Sequence, residues 1–171
     1  MNAVQIRQLT ESDAEVFQAL RLRGLREHPE AFLASFEEER ERSVEQVAEQ
    51  LRTSTQENFY LGAFEVGQLV GIAHFARQEG IKVRHRAYVE AMYVMPERRG
   101  LGIGRGLLQQ IISYARTQAG LEELGLWVII GNERAQALYE AVGFQTFCIE
   151  PRSIKVGERY YDGAGMLLRL R

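Results

Sequence analysis

The sequence predicts an α+β domain, of mixed α/β character, built on a central and mostly antiparallel sheet of about seven strands. Hydrophobic patterns run in the order strand, two helices, a run of strands, helix, strand, helix, two strands. Helices follow the fourth and fifth strands, and a helical crossover joins parallel neighbours, so parallel pairing is expected there. The 171 residues, 46% hydrophobic and 26% charged, suit one domain spanning 1–171.

The N-terminal elements are predicted from alternation and from helix-start signals. Apolar and polar residues alternate in the segment "VQIRQL", as they do in a strand with one buried face. The helix that follows is expected to begin at a capping box formed by Ser12 and Glu15. A second, shorter helix is expected to begin at another box, formed by Ser43 and Gln46.

Three strands are predicted in the middle of the chain. The segment "NFYLGAFEVGQLVGIAHFARQE" predicts a β-hairpin whose tight turn covers 66–68, where Gly67 frees the backbone. The segment "HRAYVEAMYVM" is rich in β-branched and aromatic residues. This third strand ends at Pro96, because proline cannot donate to a ladder of hydrogen bonds.

The C-terminal half alternates helices with strands. Apolar spacing predicts a helix over 105–119, and the continuous apolar run "LGLWVII" is typical of a central strand buried on both faces. Asn132 can cap a further helix, which Gly143 ends. The final antiparallel pair comprises "FQTFCIEP" and "RYYDGAGMLLRL".

Composition excludes several classes of protein and of site. A formal net charge of −2 predicts no nucleic-acid or membrane partner. One cysteine, Cys148, excludes an internal disulfide, and His28, His74 and His85 lack metal-binding spacing, so no metal is expected and these histidines are predicted to be structural. The sequence shows neither a signal-peptide layout nor a membrane-spanning apolar run, so a reducing, cytoplasmic setting is expected.

Glycines alternate in "PERRGLGIGRGLL", between a predicted strand and a predicted helix. This arrangement aims backbone N–H groups and the positive end of a helix dipole at one point, where an anion such as phosphate binds. The dinucleotide pattern G-x-G-x-x-G fails in both registers, because Arg105 and Leu107 stand where the last glycine belongs. The Walker pattern fails because the sequence has no Gly-Lys-Ser or Gly-Lys-Thr.

A purely structural explanation of the same glycines is a tight turn followed by close packing of the helix on the sheet. For Gly106 this explanation is the preferred one. The neighbouring Arg98, Arg99 and Arg105 favour anion binding for the remaining glycines.

The segment "RGLGIG" matches Arg/Gln-x-x-Gly-x-Gly/Ala, and "NERAQALYEAVGF" supplies Asn, Ala, Leu-Tyr and Gly-Phe further on. In both motifs and in element order the chain resembles the GNAT superfamily, the N-acyltransferases that use acetyl-CoA. The resemblance implies helices on both faces of the sheet and splayed fourth and fifth strands. It also implies acetyl-CoA as co-substrate, bound by Met92, Val94, Arg99, Gly100, Leu101, Gly102, Gly104 and Asn132.

Two residues are predicted to be catalytic. By resemblance, Tyr139 protonates or hydrogen-bonds the leaving thiolate. Strand alternation places Glu90 on the same face as Met92 and Val94, which makes it the first hypothesis for the general base. The alternatives are an exposed edge position, a substrate anchor or a water chain, since many relatives carry their glutamate where this chain has Tyr88.

The resulting hypothesis is an N-acetyltransferase in which a primary amine of a small molecule or peptide attacks acetyl-CoA directly. The alternative is a non-catalytic module that binds or senses acyl-CoA, and the presence of Tyr139 favours an enzyme. A nucleotide-binding regulatory domain is disfavoured by the failed glycine spacings. A homodimer through the final strands is expected by resemblance.

Overall fold

A computed structural model describes residues 3–171 of the chain. The order of its elements is the predicted one, with one additional short helix, α2. In chain order the elements are β1 (Val4–Gln8), α1 (Ala14–Glu27), α2 (Phe36–Arg40), α3 (Val44–Arg52), β2 (Asn58–Glu65), β3 (Gln68–Arg77), β4 (Arg86–Val94), α4 (Ile103–Thr117), β5 (Glu123–Ile129), α5 (Glu133–Ala141), β6 (Gln145–Val156) and β7 (Arg159–Arg169).

Within residues 3–171 seven strands form one sheet, in the order β1-β2-β3-β4-β5-β7-β6. Each neighbouring pair is antiparallel except β4 and β5, which are parallel. In the described chain, β4 and β5 pair only where 86–88 faces 123–125. The two strands then separate, so the predicted fold class and the splayed fourth and fifth strands are confirmed.

Helices cover both faces of the sheet and create two hydrophobic cores. One core contains Leu107 and Ile111 of α4, packed with Phe75 and Leu124 of the sheet. The other core joins α1 and α3 to the opposite face of β2, β3 and β4. Among residues 3–171, none of the helices is long and apolar enough to cross a membrane.

The first helix starts differently from the prediction. The Asp13 carboxylate accepts hydrogen bonds from the backbone N–H of Thr10 at 2.8 Å and from its hydroxyl at 3.1 Å. Arg7 donates two more to the same carboxylate, both at 2.7 Å. The predicted box of Ser12 and Glu15 is therefore wrong, because a 3₁₀ turn over 11–13 already precedes α1.

Two further predictions concern α3 and β5. The box of Ser43 and Gln46 is confirmed by reciprocal hydrogen bonds of 2.9 and 3.2 Å. By contrast, β5 is not buried on both faces, since Trp127 is 49% exposed. The core formed with α1 and α3 contains no β5 residue within the described chain, and on that face of β5 the Tyr88 ring covers Gly125 while Trp127 is exposed.

Strand β4 contains a β-bulge at Ala91, whose φ is 48°. On β4 the step from Glu90 to Tyr93 covers three residues, whereas the matching step on β3, from His74 to Ile72, covers two. The extra residue interrupts the alternation of side chains along β4.

The bulge corrects the predicted position of Glu90. Met92 and Val94 pack against the core that contains α4, whereas Ala91 and Tyr93 belong to the core on the α1 side. Glu90, which pairs in register with His74, lies before the bulge and therefore projects from the opposite face to Met92. The prediction that Glu90 shares a face with Met92 and Val94 is wrong.

Candidate active site

A cleft of about 650 Å³ opens where β4 and β5 separate. Its walls come from the C-terminal half of β4, the start of α4, the end of β5, the α5 helix and the segment after α1. Past Tyr88, the edge of β4 that faces β5 has no strand partner in the part of the chain described here. The backbone groups along that edge are therefore available to an extended ligand.

The N-terminus of α4 points into this cleft through two glycines in the left-handed region. Gly100 has φ 82° and Gly102, which precedes the helix, has φ 81°. No side chain of the described residues caps the helix at Gly102, and a Cβ built there would meet nothing within 4 Å. The first-turn N–H groups can thus bind an anion. Leu101 is 55% exposed and lies outside the cleft wall.

Gly104 and Asn132 both line the cleft and both have structural contacts. A Cβ at Gly104 would lie 3.1 Å from Leu138 Cδ2 and 3.2 Å from Met92 Cε, so this glycine lets α4 approach α5 and β4 closely. The Asn132 side-chain Oδ1 accepts a hydrogen bond from the N–H of Ala135 at 3.2 Å and so caps α5.

The Arg99 side chain is held by other parts of the protein. Its Nε donates to the Val94 carbonyl at 2.9 Å, and one of its terminal nitrogens lies 3.2 Å from Nε2 of His28. His28, expected to be only structural, is therefore part of the cleft wall. Arg99 fixes the end of β4 relative to the glycine segment.

The arginines predicted beside the glycine segment, Arg98, Arg99 and Arg105, all line the cleft, but Arg98 and Arg99 are already bound to other groups. Arg98 forms an ion pair with Glu65 of β2. Arg105 and Arg134 line the cleft, and an Arg134 terminal nitrogen lies 3.5 Å from where a Gly100 Cβ would stand. Arg134 went unnoticed in the sequence, although it stands two residues after the asparagine of the second motif.

Tyr139 is 9% exposed, and its side chain reaches the cleft from α5. Its ring packs edge-on against Phe144 with 6.2 Å between centroids, and its hydroxyl donates to the Met92 sulfur at 3.8 Å. Burial raises the pKa of Tyr139 to about 12, so the phenol keeps its proton at neutral pH. A thioether is a weak acceptor, which leaves this hydroxyl free to donate to a better one.

On the opposite face of β4, Glu90 takes part in a chain of polar contacts. Glu90 Oε2 lies 3.2 Å from His74 Nδ1, and His74 Nε2 lies 2.7 Å from the side-chain Oδ1 of Asn58. His74 is 9% exposed and stacks on Tyr60 with 4.1 Å between ring centroids. The hydrogen bond with His74 holds the pKa of Glu90 below its usual range, although partial burial opposes this.

A second group of polar side chains surrounds this chain of contacts. Arg21 of α1 binds Glu39 of α2 at 3.0 Å, and Arg42 reaches the other oxygen of Glu39 at 3.3 Å. Arg21 also helps to lower the pKa of Glu90. His74 and Arg21 were missed as site residues, and the available signal was a histidine inside the apolar strand "GIAHFA".

The structure brings most of the predicted site residues together. Glu90 is not among the residues that line the cleft, and it contacts His74 on the α1 side of β4. Those that line the cleft are Met92, Val94, Arg99, Gly100, Gly102, Gly104, Asn132 and Tyr139.

Comparison with known proteins gives the same fold and the same family. The family model described as acetyltransferase (GNAT) family matches residues 22–144. The N-alpha-acetyltransferase RimI of Mycobacterium tuberculosis is 37% identical over 99 residues, which cover 58% of this chain and 60% of that protein. The matched part of the chain spans 27%, 60% and 45% of the length of three curated relatives.

Two solved structures have the same fold over almost the whole chain. An acetyltransferase of the GNAT family from Streptococcus pneumoniae has a TM-score of 0.86 at 24% identity, with 98% of this chain and 99% of that chain covered. The Salmonella typhimurium protein yncA, determined with its cofactor acetyl-CoA, has a TM-score of 0.81 at 22% identity, with 99% and 95% covered. On the family match, which includes the glycine segment and Tyr139, this chain belongs to the GNAT acetyltransferase family.

Proposed function

We propose that the protein is an N-acetyltransferase that moves the acetyl group of acetyl-CoA to a primary amine of a small molecule or peptide. The observation that carries this proposal is the cleft between β4 and β5. An uncapped helix N-terminus lies in its wall and a buried phenol reaches into it, while the strand β4 that forms part of the wall carries a carboxylate on its other face.

The cleft fits coenzyme A at its anionic part. The pyrophosphate is proposed to accept hydrogen bonds from the N–H groups of 102–104, where the open space at Gly102 allows close approach. Arg105 and Arg134 supply positive charge locally, in a chain whose net charge is −2.

The extended part of coenzyme A is proposed to follow the unpaired edge of β4. The backbone groups of Met92 and Val94 lie on this strand where it has left β5. Arg99 contributes by holding the Val94 carbonyl in place, since its guanidinium is already bound there. Asn132 contributes by capping α5, the helix that carries Tyr139.

Acetyl-CoA supplies a thioester whose C–S bond breaks as the new C–N bond forms. An alkylammonium acceptor has three N–H protons and the product amide keeps one, so two protons must leave the nitrogen. Glu90 is proposed to receive one of them and to pass it to solvent. The second proton is transferred to the departing sulfur, to which the Tyr139 hydroxyl donates a hydrogen bond.

The two proposed catalytic residues lie on opposite sides of the gap between β4 and β5. Tyr139 belongs to the α4 side and Glu90 to the α1 side, so the thioester and the amine would meet between β4 and β5 from opposite directions. Direct attack needs no protein nucleophile. The chain's one cysteine, Cys148, lies on β6 and is not among the residues that line the cleft within 3–171.

The experiment is a screen of primary amines with acetyl-CoA, which follows free thiol release and the mass of the acetylated product. The name of the M. tuberculosis relative, an N-alpha-acetyltransferase, places peptide N-termini first in the panel, followed by amino acids and polyamines. Thiol release that requires an amine and matches the acetylated product is the expected result. Binding of coenzyme A without transfer to any amine would instead favour the non-catalytic acyl-CoA module.

Three predictions about the whole protein stay predictions. They are the single domain across 1–171, the homodimer through the final strands, and the reducing, cytoplasmic setting. Analytical ultracentrifugation of the full chain tests the homodimer.

A further inference from the structure

His74 lies in the middle of β3, directly opposite Glu90 in the antiparallel register. It is 9% exposed, and its two ring nitrogens each face an oxygen: Nδ1 lies 3.2 Å from Glu90 and Nε2 lies 2.7 Å from Asn58. Both oxygens can only accept a hydrogen bond, so a neutral imidazole can donate to one of them and a protonated imidazole can donate to both.

This pairing defines which nitrogen can exchange a proton with Glu90. When Oδ1 of the Asn58 side chain accepts from Nε2–H, the neutral ring turns the lone pair of Nδ1 toward the carboxylate. Two lone pairs 3.2 Å apart can share one added proton, which changes the charge of the pair from −1 to 0.

The ring is held in this orientation by its neighbours. Its face lies on Tyr60 at an angle of 16°, and the Tyr60 hydroxyl accepts a hydrogen bond from Gln50 of α3 at 3.3 Å. The Tyr60 ring also packs edge-on against Phe17 of α1, with 4.8 Å between centroids. The imidazole therefore cannot rotate away from Glu90 without disturbing three elements.

We propose that Glu90 and His74 act as one proton-accepting pair, in which the acceptor amine passes a proton to Glu90 and the proton then rests on His74 Nδ1. This inference rests on the proposed function. In the step, an N–H bond of the amine breaks and an O–H bond forms on Glu90. That proton then moves to Nδ1, and it leaves through the half-exposed carboxylate after the product has gone.

The energetic reason for the pair is the weakness of a lone carboxylate as a base. An ordinary glutamate titrates about six pH units below an alkylammonium group, whereas an ordinary imidazole titrates about four units below it. The lowered pKa of Glu90 makes the carboxylate alone weaker still. An imidazole is in general a stronger base than a carboxylate, and a general base is most effective when its basicity suits the working pH.

The other charged groups on this face are accounted for. Arg21 of α1 and Glu39 of α2 bind each other, and Arg42 occupies the second oxygen of Glu39. Tyr60 is neutral, since burial raises the pKa of its phenol. Of these groups, Arg21 favours the ionised form of Glu90.

The test is His74→Gln, because glutamine can hydrogen-bond to Glu90 but cannot take up its proton. With an amine from the screen, kcat/KM at about pH 7 should fall about 10- to 100-fold. The acid limb of the pH profile of kcat/KM should lie at lower pH in the variant than in the wild type, because a carboxylate without the imidazole takes up a proton only at lower pH. His85→Gln, the same change just before β4, should match the wild type.

A second readout does not depend on activity. Carbon-13 NMR of the Glu90 carboxyl should show its pKa below the ordinary glutamate value in the wild type and raised toward that value in His74→Gln. A wild-type Glu90 that titrates like an ordinary glutamate overturns the inference, even if the variant fails to fold.

The outcomes separate this inference from the proposed function. If Glu90→Gln loses activity while His74→Gln keeps the wild-type pH profile, the pair is wrong and the transferase proposal stands. If the wild type acetylates no amine, the transferase proposal fails, and the NMR titration still decides whether the two side chains share a proton.

Discussion

The two sides of the gap between β4 and β5 are built in different ways. On the α4 side the site consists of backbone N–H groups, glycines, apolar contacts, one buried phenol and the arginines that line the cleft. On the α1 side it consists of polar side chains from six elements and the loop after α2, each bound to another. Coenzyme A would be recognised by backbone conformation, and the acceptor by side chains that packing brings together.

Gly102→Glu tests the α4 side and should have the largest effect. A carboxylate at the helix N-terminus would occupy and repel the pyrophosphate site, so coenzyme A affinity should fall at least about 100-fold by isothermal titration calorimetry. Gly67→Glu is the matched control, because Gly67 has φ 78° and, like Gly102, open space around a built Cβ. Equal losses of coenzyme A affinity in both variants would show that backbone strain causes the effect. That result would contradict an anion site at Gly102.

Tyr139→Phe tests whether the two sides meet at the reacting atoms. Loss of the hydroxyl should lower kcat about 10- to 100-fold and change coenzyme A affinity less than about 3-fold, as expected for a group that acts on the leaving sulfur. Tyr114→Phe is the control, since its hydroxyl donates to the Gln56 carbonyl at 2.6 Å, away from the cleft. A fully active Tyr139→Phe would remove Tyr139 from the chemistry.

Asp13→Asn tests the hydrogen bonds of the Asp13 carboxylate that fix the start of α1. Loss of the charged hydrogen bonds with Arg7 should lower the free energy of unfolding by about 1 to 3 kcal/mol at about pH 7, measured with urea. The hydrogen bonds from Arg7 hold the pKa of Asp13 below its ordinary value, so this stabilisation is complete above about pH 4 and is lost as the pH falls further. If the wild type and Asp13→Asn still differ by the same free energy of unfolding in strong acid, the charged hydrogen bonds of Asp13 are not the source of the stabilisation.

Gly106→Ala should have the smallest effect and marks where the anion site ends. A Cβ there would lie 2.9 Å from Ile6 Cδ1, the flexible end of a side chain, and the clash is offset by about 1 kcal/mol of helix propensity. Stability should change by less than about 1 kcal/mol, and coenzyme A affinity should not change. Weaker coenzyme A binding would show that the site extends further into α4.

The α4 side could be predicted from the sequence because its features are local. The left-handed conformations of Gly100 and Gly102 arise within a few residues, and the glycine spacing alone excluded two other phosphate loops. Tyr139 likewise stands within a contiguous motif. The strand and helix order followed from periodicity, which also depends on neighbouring residues.

The α1 side could not be predicted because its contacts depend on register and packing. An inserted residue at Ala91 moves Glu90 to the other face, and nothing in "AYVEAMYV" marks the insertion. His74 stands 16 residues before Glu90, and only the β3–β4 register places them together. Arg21 joins the same site through the docking of α1 on the sheet.

The most direct measurement is a crystal structure of the protein with coenzyme A bound. We expect the pyrophosphate oxygens to accept hydrogen bonds from the N–H groups of 102–104, and the sulfur to lie within hydrogen-bonding distance of the Tyr139 hydroxyl, with Glu90 across β4 and free of the cofactor. A pyrophosphate bound on the α1 side beside Arg21, or a sulfur far from Tyr139, would contradict the division of the site into a cofactor side and an acceptor side.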